Sequence, residues 1–262
     1  MNGLTVAADS DALQPGAIAA ALASLPMTLR ATSGPHAALR AIGGGAGWCE
    51  RAAAALSEGA RGVLVARPTA VDVAQLSALA EHDAPIVLDT RWRHNPAVAR
   101  VPELLAALDG GVSLFEAHAY VADEGSLDDA MRDLALLAQA AGGQMRHVST
   151  VQRSVGRLVV HGQVGGDALH AVVDVTSVGS GTAWLRALGA SGGVQLMVPD
   201  AGTARAARVT VTDPGGHTLL PLLHESAHRN AWRRLAADVQ QGSPASDIDD
   251  LRIVTAAFAG EV

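Results

Sequence analysis

Residues 42–68 read IGGGAGWCERAAAALSEGARGVLVARP. An apolar strand that begins at Leu39 runs into a glycine-rich turn, and an alanine-rich segment of helical spacing, Trp48 to Glu58, follows. Gly59 stops it, and Gly62 to Ala66 is a continuous apolar run of the kind carried by a strand buried on both faces. Strand, helix and parallel strand form one βαβ unit. The same alternation continues on both sides. Strands are expected at Leu4 to Ala8, Met27 to Thr32, Pro85 to Asp89 and Val112 to Ala119, and helices at Ala17 to Leu25, Val71 to His82 and Pro102 to Leu108.

The pattern changes after Leu127 to Ala141, a long amphipathic helix closed by Gly142-Gly143. Residues 148–212 hold Val- and Thr-rich runs (157–163, 170–177, 184–188, 193–198 and 208–212) punctuated by Gly165-Gly166, Gly192-Gly193 and Gly215-Gly216, which reads as an antiparallel meander. A helix from His224 to Gln241, a Gly242-Ser243-Pro244 break and a helix from Asp247 complete the chain. The expected fold is α/β and Rossmann-like over residues 1–120, followed by an α+β part over 121–262 with a predominantly antiparallel sheet.

Of the 262 residues 49% are hydrophobic, enough for a large core. No apolar run approaches the roughly 20 residues that span a bilayer, and the N-terminus lacks the basic-then-apolar layout of a signal peptide, so a cytoplasmic protein with no membrane association is expected. Cys49 is the only cysteine, which excludes an intramolecular disulfide and suits a buried structural thiol. The net charge of -7 and the scatter of the 19 basic residues argue against nucleic acid as a partner. All 19 are arginines; without lysine there is no Schiff base, no P-loop lysine and no lysine general acid.

Leu56-Ser57-Glu58-Gly59 and Val63-Leu64-Val65, running to Ala66-Arg67-Pro68, resemble the segment of the glucose-fructose oxidoreductase, inositol dehydrogenase and MocA (Gfo/Idh/MocA) family that leads to its Glu-Lys-Pro signature. Asp89 to Ala97 (DTRWRHNPA) is similar to the family's strand ending in Arg-x-x-Asn-Pro, and Asp128 to Leu137 to its Asp-x-Gly-x-His-x-x-Asp helix. The resemblance covers roughly residues 39–262 and implies the dehydrogenase architecture. It also implies a loss of chemistry, because the positions matching the family's catalytic lysine, histidine and aspartate are Arg67, Arg132 and Ala135. Arginine and alanine exchange no protons usefully near neutral pH. If the helix alignment slips, Asp129 or Asp133 is the nearest carboxylate.

The cofactor end departs too. The first strand is followed by Asp9-Ser10-Asp11-Ala12-Leu13-Gln14-Pro15-Gly16 where a dinucleotide fold needs glycines, and two aspartates there would repel a phosphate. Fewer residues precede the Ile42 strand than the family pattern implies, which reads as a shortened nucleotide-binding half. Gly43, Gly45 and Gly47 are the phosphate contacts if their turn serves a dinucleotide, but the Gly-x-Gly-x-Gly spacing is one residue short of the fingerprint and no acidic residue ends the next strand, so a flexible turn is the simpler reading.

His224 and His228 are four apart with no third ligand, so no metal is expected and a solvated helix face is the simpler reading. No nucleophile elbow supports a hydrolase. The family fold would bring Arg67, Arg91, Arg93, His94, Asn95, Asp128 and Arg132 towards one cleft, a cationic site for a carboxylate or phosphate, unless the arginines pair with Asp89, Asp128 or Asp129. Three functions follow. The first is a non-catalytic relative with no cofactor, acting as a partner or scaffold in a homo-oligomer, or in a hetero-oligomer with a homologous full-length oxidoreductase, through the C-terminal sheet. The second is an NAD- or NADP-dependent oxidoreductase on a sugar, cyclitol or related polyol. The third is a small-anion binding protein.

Overall fold

A computed structural model describes residues 3–34, 36–178, 181–203, 205–243 and 247–260. The chain divides into two compact units that interleave in sequence. The first holds the residues up to Thr90 together with Ala227–Arg252, and the second Arg91–Ser226 with the residues from Ile253 on, whereas the sequence reading divides the chain at residue 120.

The first unit contains a five-stranded sheet of β1 (Leu4–Ala8), β2 (Leu29–Ala31), β3 (Leu39–Gly43), β4 (Gly62–Ala66) and β5 (Ile86–Asp89), in the order β2-β1-β3-β4-β5 with every pairing parallel. Its helices are α1 (Ile18–Ser24), α2 (Trp48–Ser57) and α3 (Val73–Ala80). A parallel sheet must be covered on both faces, and the period-2 alternation of its strands assigns the residues. Leu39, Ala41, Leu64, Ala66 and Val87 form one core with Ile18 and Ala21 of α1 and Leu25 just after it. The same core takes in Ala231, Trp232, Leu235, Ala236 and Val239 of α6 (Ala227–Gln241), which returns from the far end of the chain. Residues that alternate with these, among them Val63 and Val65, turn to the opposite face, and α2 lies against β3 and β4. Gly62 allows α6 to lie close, since a Cβ there would stand 2.7 Å from Val239 Cγ2 and 2.9 Å from Leu235 Cδ1.

The helix expected from His224 begins at Ala227, and His228 is buried instead of solvated: its Nδ1 lies 2.7 Å from Oδ2 of the fully buried Asp89. A carboxylate only accepts, so Nδ1 carries the proton. The open edge of β5 is closed by a side chain. Asp247, at the start of α7 (Asp247–Ala259), accepts from the Leu88 N–H at 2.9 Å and from Arg234 Nη1 at 2.6 Å, and it is fully buried. Pro244, expected in the break before α7, lies outside the described residues.

The second unit opens with α4 (Val101–Ala106) and β6 (Leu114–Val121), followed by α5 (Leu127–Gly142). The strands β7 (Met145–Ser154), β8 (Arg157–Val164), β9 (Asp167–Val175), β10 (Ala183–Gly189), β11 (Gly192–Val198), β12 (Arg208–Asp213) and β13 (Gly216–Leu219) complete its sheet. The order is β13-β12-β11-β10-β6-β9-β8-β7. The expected antiparallel meander is corrected to a mixed sheet, because β6 inserts between β9 and β10 and pairs parallel with β9. The three glycine pairs do mark hairpins, at β8–β9, β10–β11 and β12–β13. Helix α5 buries Leu134, Leu137, Ala138 and Ala141 and packs against β6, β8 and β9. The opposite face of the sheet carries Glu116, His118, Tyr120, Asp174, Trp184 and Arg186, all partly buried, with Asp174 bound by Arg157 and by His118. The Arg157 hydrogen bond, then His118, holds the Asp174 carboxyl below the usual carboxylate range.

Replacing Asp247 with Ala removes the carboxylate that accepts from the buried Leu88 N–H and from the partly exposed Arg234 guanidinium. Chemical denaturation is expected to show a loss of about 2 kcal/mol or more, and a loss below about 0.5 kcal/mol would mean that β5 does not depend on this cap.

Candidate functional site at the carboxyl edge of the parallel sheet

In open parallel sheets ligands bind beyond the carboxyl ends of the strands, where the strand order reverses. Here the order reverses between β1 and β3, and a cavity of about 510 Å³ lies at that place, lined by Asp11, Gln14, Pro15, Gly43, Gly44, Gly45, Ala66 and Arg67. Each glycine of the turn does a different job. Gly44 is fixed by close approach: a Cβ there would sit 2.2 Å from the Arg67 carbonyl oxygen and 2.4 Å from Pro68 Cα. Its N–H donates to Ala66 O at 2.8 Å, and its carbonyl accepts from both the N–H and the hydroxyl of Thr69. Gly45 faces open space, with nothing within 4 Å of its Cβ position. Gly47, at φ +71°, is the left-handed residue preceding α2 and does not line the cavity.

Gly43 is different again, because its missing Cβ is filled by another side chain. A Cβ would meet Asp11 Cγ at 2.3 Å. The Gly43 N–H donates to Asp11 Oδ1 at 3.2 Å, and Arg51 Nη2 reaches Asp11 Oδ2 at 3.3 Å. The same guanidinium donates to Gly43 O at 2.6 Å and to Ala46 O at 2.7 Å, tying the turn down. Arg51 and Gln14 escape a reading based on motifs. The one available signal for Arg51 is its place four residues after Gly47, on the helix face that looks back at the turn.

Arg67 sits at the mouth with φ +52°, a conformation that costs a non-glycine residue on the order of 1 kcal/mol and that its flanks impose. Its N–H donates to Asp89 O at 3.1 Å, and its side chain is exposed. Nearby, Cys49 is buried in α2 and its thiol is pushed up to about 12, chiefly by burial, which makes it inert as a nucleophile.

The other candidate residues lie in the second unit. Arg91 Nη1 meets Asp133 Oδ2 at 3.0 Å, and Arg132 bonds Asp129 Oδ1 at 3.0 Å one turn back along α5. Asp133 is buried, and burial pushes its carboxyl above the ordinary 3.8 against the opposing charges of Arg91, then Arg132. Asp128 is instead turned outward to Arg153. Trp92 is fully buried with its Nε1 on Gly181 O at 2.8 Å, and His94 is buried as well. Asn95 turns the chain, its Oδ1 accepting from Ala97 N–H at 3.0 Å and its Nδ2 reaching Glu225 O at 3.3 Å. Arg93 is half-buried. Ala135 is buried in the core side of α5. The structure thus gathers Gly43, Gly45 and Arg67 around one cavity, and Arg91 and Arg132 around Asp133. Among the described residues no group of three His, Cys, Asp or Glu could hold a metal, and no helix is long and apolar enough to cross a membrane.

Two measurements check these geometries. Arg67→Gly relieves the left-handed strain and is expected to keep or raise the melting temperature, whereas a fall of several degrees would show that the side chain itself stabilises the turn. A carboxyl whose pKa is raised on folding contributes most below its ordinary value and loses that contribution as pH rises through the raised one. Melting temperature is therefore expected to decline less steeply for Asp133→Asn than for the wild type as pH rises above about 4, and equal slopes would contradict the shift.

No protein-family model matches the sequence, and no curated protein matches it. Solved structures do. A 3-ketoreductase from Actinomadura kijaniata, solved with TDP-benzene and NADP, is similar at TM-score 0.73 and 15% identity over 100% of this chain and 97% of its own. A protein from Klebsiella pneumoniae described provisionally as an oxidoreductase gives TM-score 0.72 and 14% identity over 100% and 92%. One from Yersinia pestis, described in the same way, gives 0.69 and 16% over 99% and 95%. The expectation of a truncated nucleotide-binding half is corrected by these coverages: the likeness runs nearly end to end. The chain has the fold of these oxidoreductases.

Proposed function

We propose that the chain is an NAD(P)-dependent oxidoreductase of the Gfo/Idh/MocA type, acting on a sugar, cyclitol or related polyol. The observation that carries this reading is the cavity at the carboxyl edge of β1, β3 and β4, placed where dinucleotide folds bind their cofactor. The end-to-end likeness to a ketoreductase that was solved with NADP supports it. Gly43 and Gly45 would receive the diphosphate through backbone approach, and NADH or NADPH would supply the hydride. Arg67, fixed at the mouth, is suited to steadying negative charge that develops on a carbonyl oxygen as it is reduced. It would not transfer a proton, and neither would Arg132 or Ala135, so the proton would come from water.

A second reading is favoured by one observation, that none of Arg67, Arg132 and Ala135 carries a group that titrates near neutral pH. On this reading the chain is a non-catalytic partner or scaffold subunit in a homo-oligomer or beside a homologous full-length oxidoreductase. The outer face of the second sheet, with Tyr120 and Trp184 against His118, would be the joining surface. A small-anion binding role would use the same arginines, and a soluble, cytoplasmic setting suits all three.

The readings separate on turnover. General acid–base groups are worth roughly 10²-fold or more and ordinary enzymes turn over at roughly 10 s⁻¹, so a kcat of about 0.1 s⁻¹ or below is expected. The loss of NADPH absorbance would be followed over a panel of keto sugars and inosose-type ketones. Dinucleotide binding with no turnover on any of them would remove the enzymatic reading and leave the scaffold.

A further inference from the structure

The turn after β1 is where a dinucleotide fold presents backbone N–H groups to phosphate, and here that turn carries a carboxylate that makes an anion's contacts itself. Asp11 takes one N–H, from Gly43, and one guanidinium, from Arg51. The approach is tight, for Asp11 Oδ2 and Oδ1 lie 2.5 and 2.7 Å from the Cβ position of Gly43, so only glycine at that place admits it. The contact is also partly open to solvent. The Asp11 side chain is 52% exposed and Arg51 36%, an ion pair worth little by itself in water. Arg51 does not depend on it for its position, being held by the carbonyls of Gly43 and Ala46. Asp11 and Gly43 both line the cavity, whose other charged wall residue is Arg67.

We propose that Asp11 is a resident anion that gates this cavity, holding the Gly43 N–H and the Arg51 guanidinium that the phosphate of a ligand would otherwise engage. Asp11 already occupies the Gly43 N–H and one N–H of Arg51, and its charge repels a second anion there, so a diphosphate-bearing ligand engages both groups only when Asp11 turns out to solvent. Arg51 then changes partner from carboxylate to phosphate, a role in ligand binding that no glycine fingerprint would reveal. This inference rests on the dinucleotide reading of the cavity, and the experiment separates the two.

The full chain is titrated with NADPH, following energy transfer from tryptophan, as wild type, Asp11→Asn, Asp11→Ala and Asp11→Asn/Arg51→Gln, each checked for an unchanged circular dichroism melt. Both single variants are expected to bind about tenfold or more tightly than wild type, and the double variant to lose that gain. Measurable wild-type binding that neither Asp11 variant improves would overturn the gate and leave the dinucleotide reading standing. Binding by the Asp11 variants alone would uphold the gate while refuting NADPH as a ligand of the unmodified protein. No binding by any form would overturn both.

Discussion

A parallel sheet has two apolar faces, and this chain covers one of them with a helix that comes from the far end of the sequence. Trp232, Leu235 and Val239 of α6 complete the core that Ile18 and Ala21 of α1 begin, over Leu64 and Val87. The same returning segment supplies His228 to Asp89, and Asp247 of α7 closes the β5 edge. Stability of the first unit, and with it the arrangement of the strand ends around the cavity, therefore depends on long-range closure.

Local information was enough wherever a segment settles its own contacts. The βαβ unit around Ile42–Pro68, the length of α5 and the three glycine hairpins were all legible, because hydrophobic period and turn chemistry act within a few residues. The insertion of β6 between β9 and β10 was not. Leu114–Val121 has the same alternating pattern whether it ends one sheet or founds another, and its choice of partner is decided by contacts more than fifty residues away. His228 misled for the same reason: helical spacing shows which residues share a face, and nothing in α6 announces Asp89 across the core.

At the candidate site the sequence showed residue types but not what surrounds them. Gly43, Gly44 and Gly45 look alike in a motif, yet one is filled by Asp11, one is pressed against Arg67 and one faces open space. The sequence left open whether the arginines form a free cationic set or pair with carboxylates; Arg91 and Arg132 pair with Asp133 and Asp129, Arg67 lines the cavity, and Arg51 stands behind the wall residue Asp11. The carboxyl edge of the sheet thus holds a cavity whose charged wall residues are one carboxylate, Asp11, and one guanidinium, Arg67.

The measurement that tests this account most directly is a crystal structure of the protein grown with saturating NADPH. The account predicts density for the diphosphate against Gly43–Gly45, Asp11 turned to solvent, Arg51 on a phosphate oxygen and the nicotinamide end towards Arg67. A structure with Asp11 still seated on the Gly43 N–H and no nucleotide at the carboxyl edge of the sheet would contradict it.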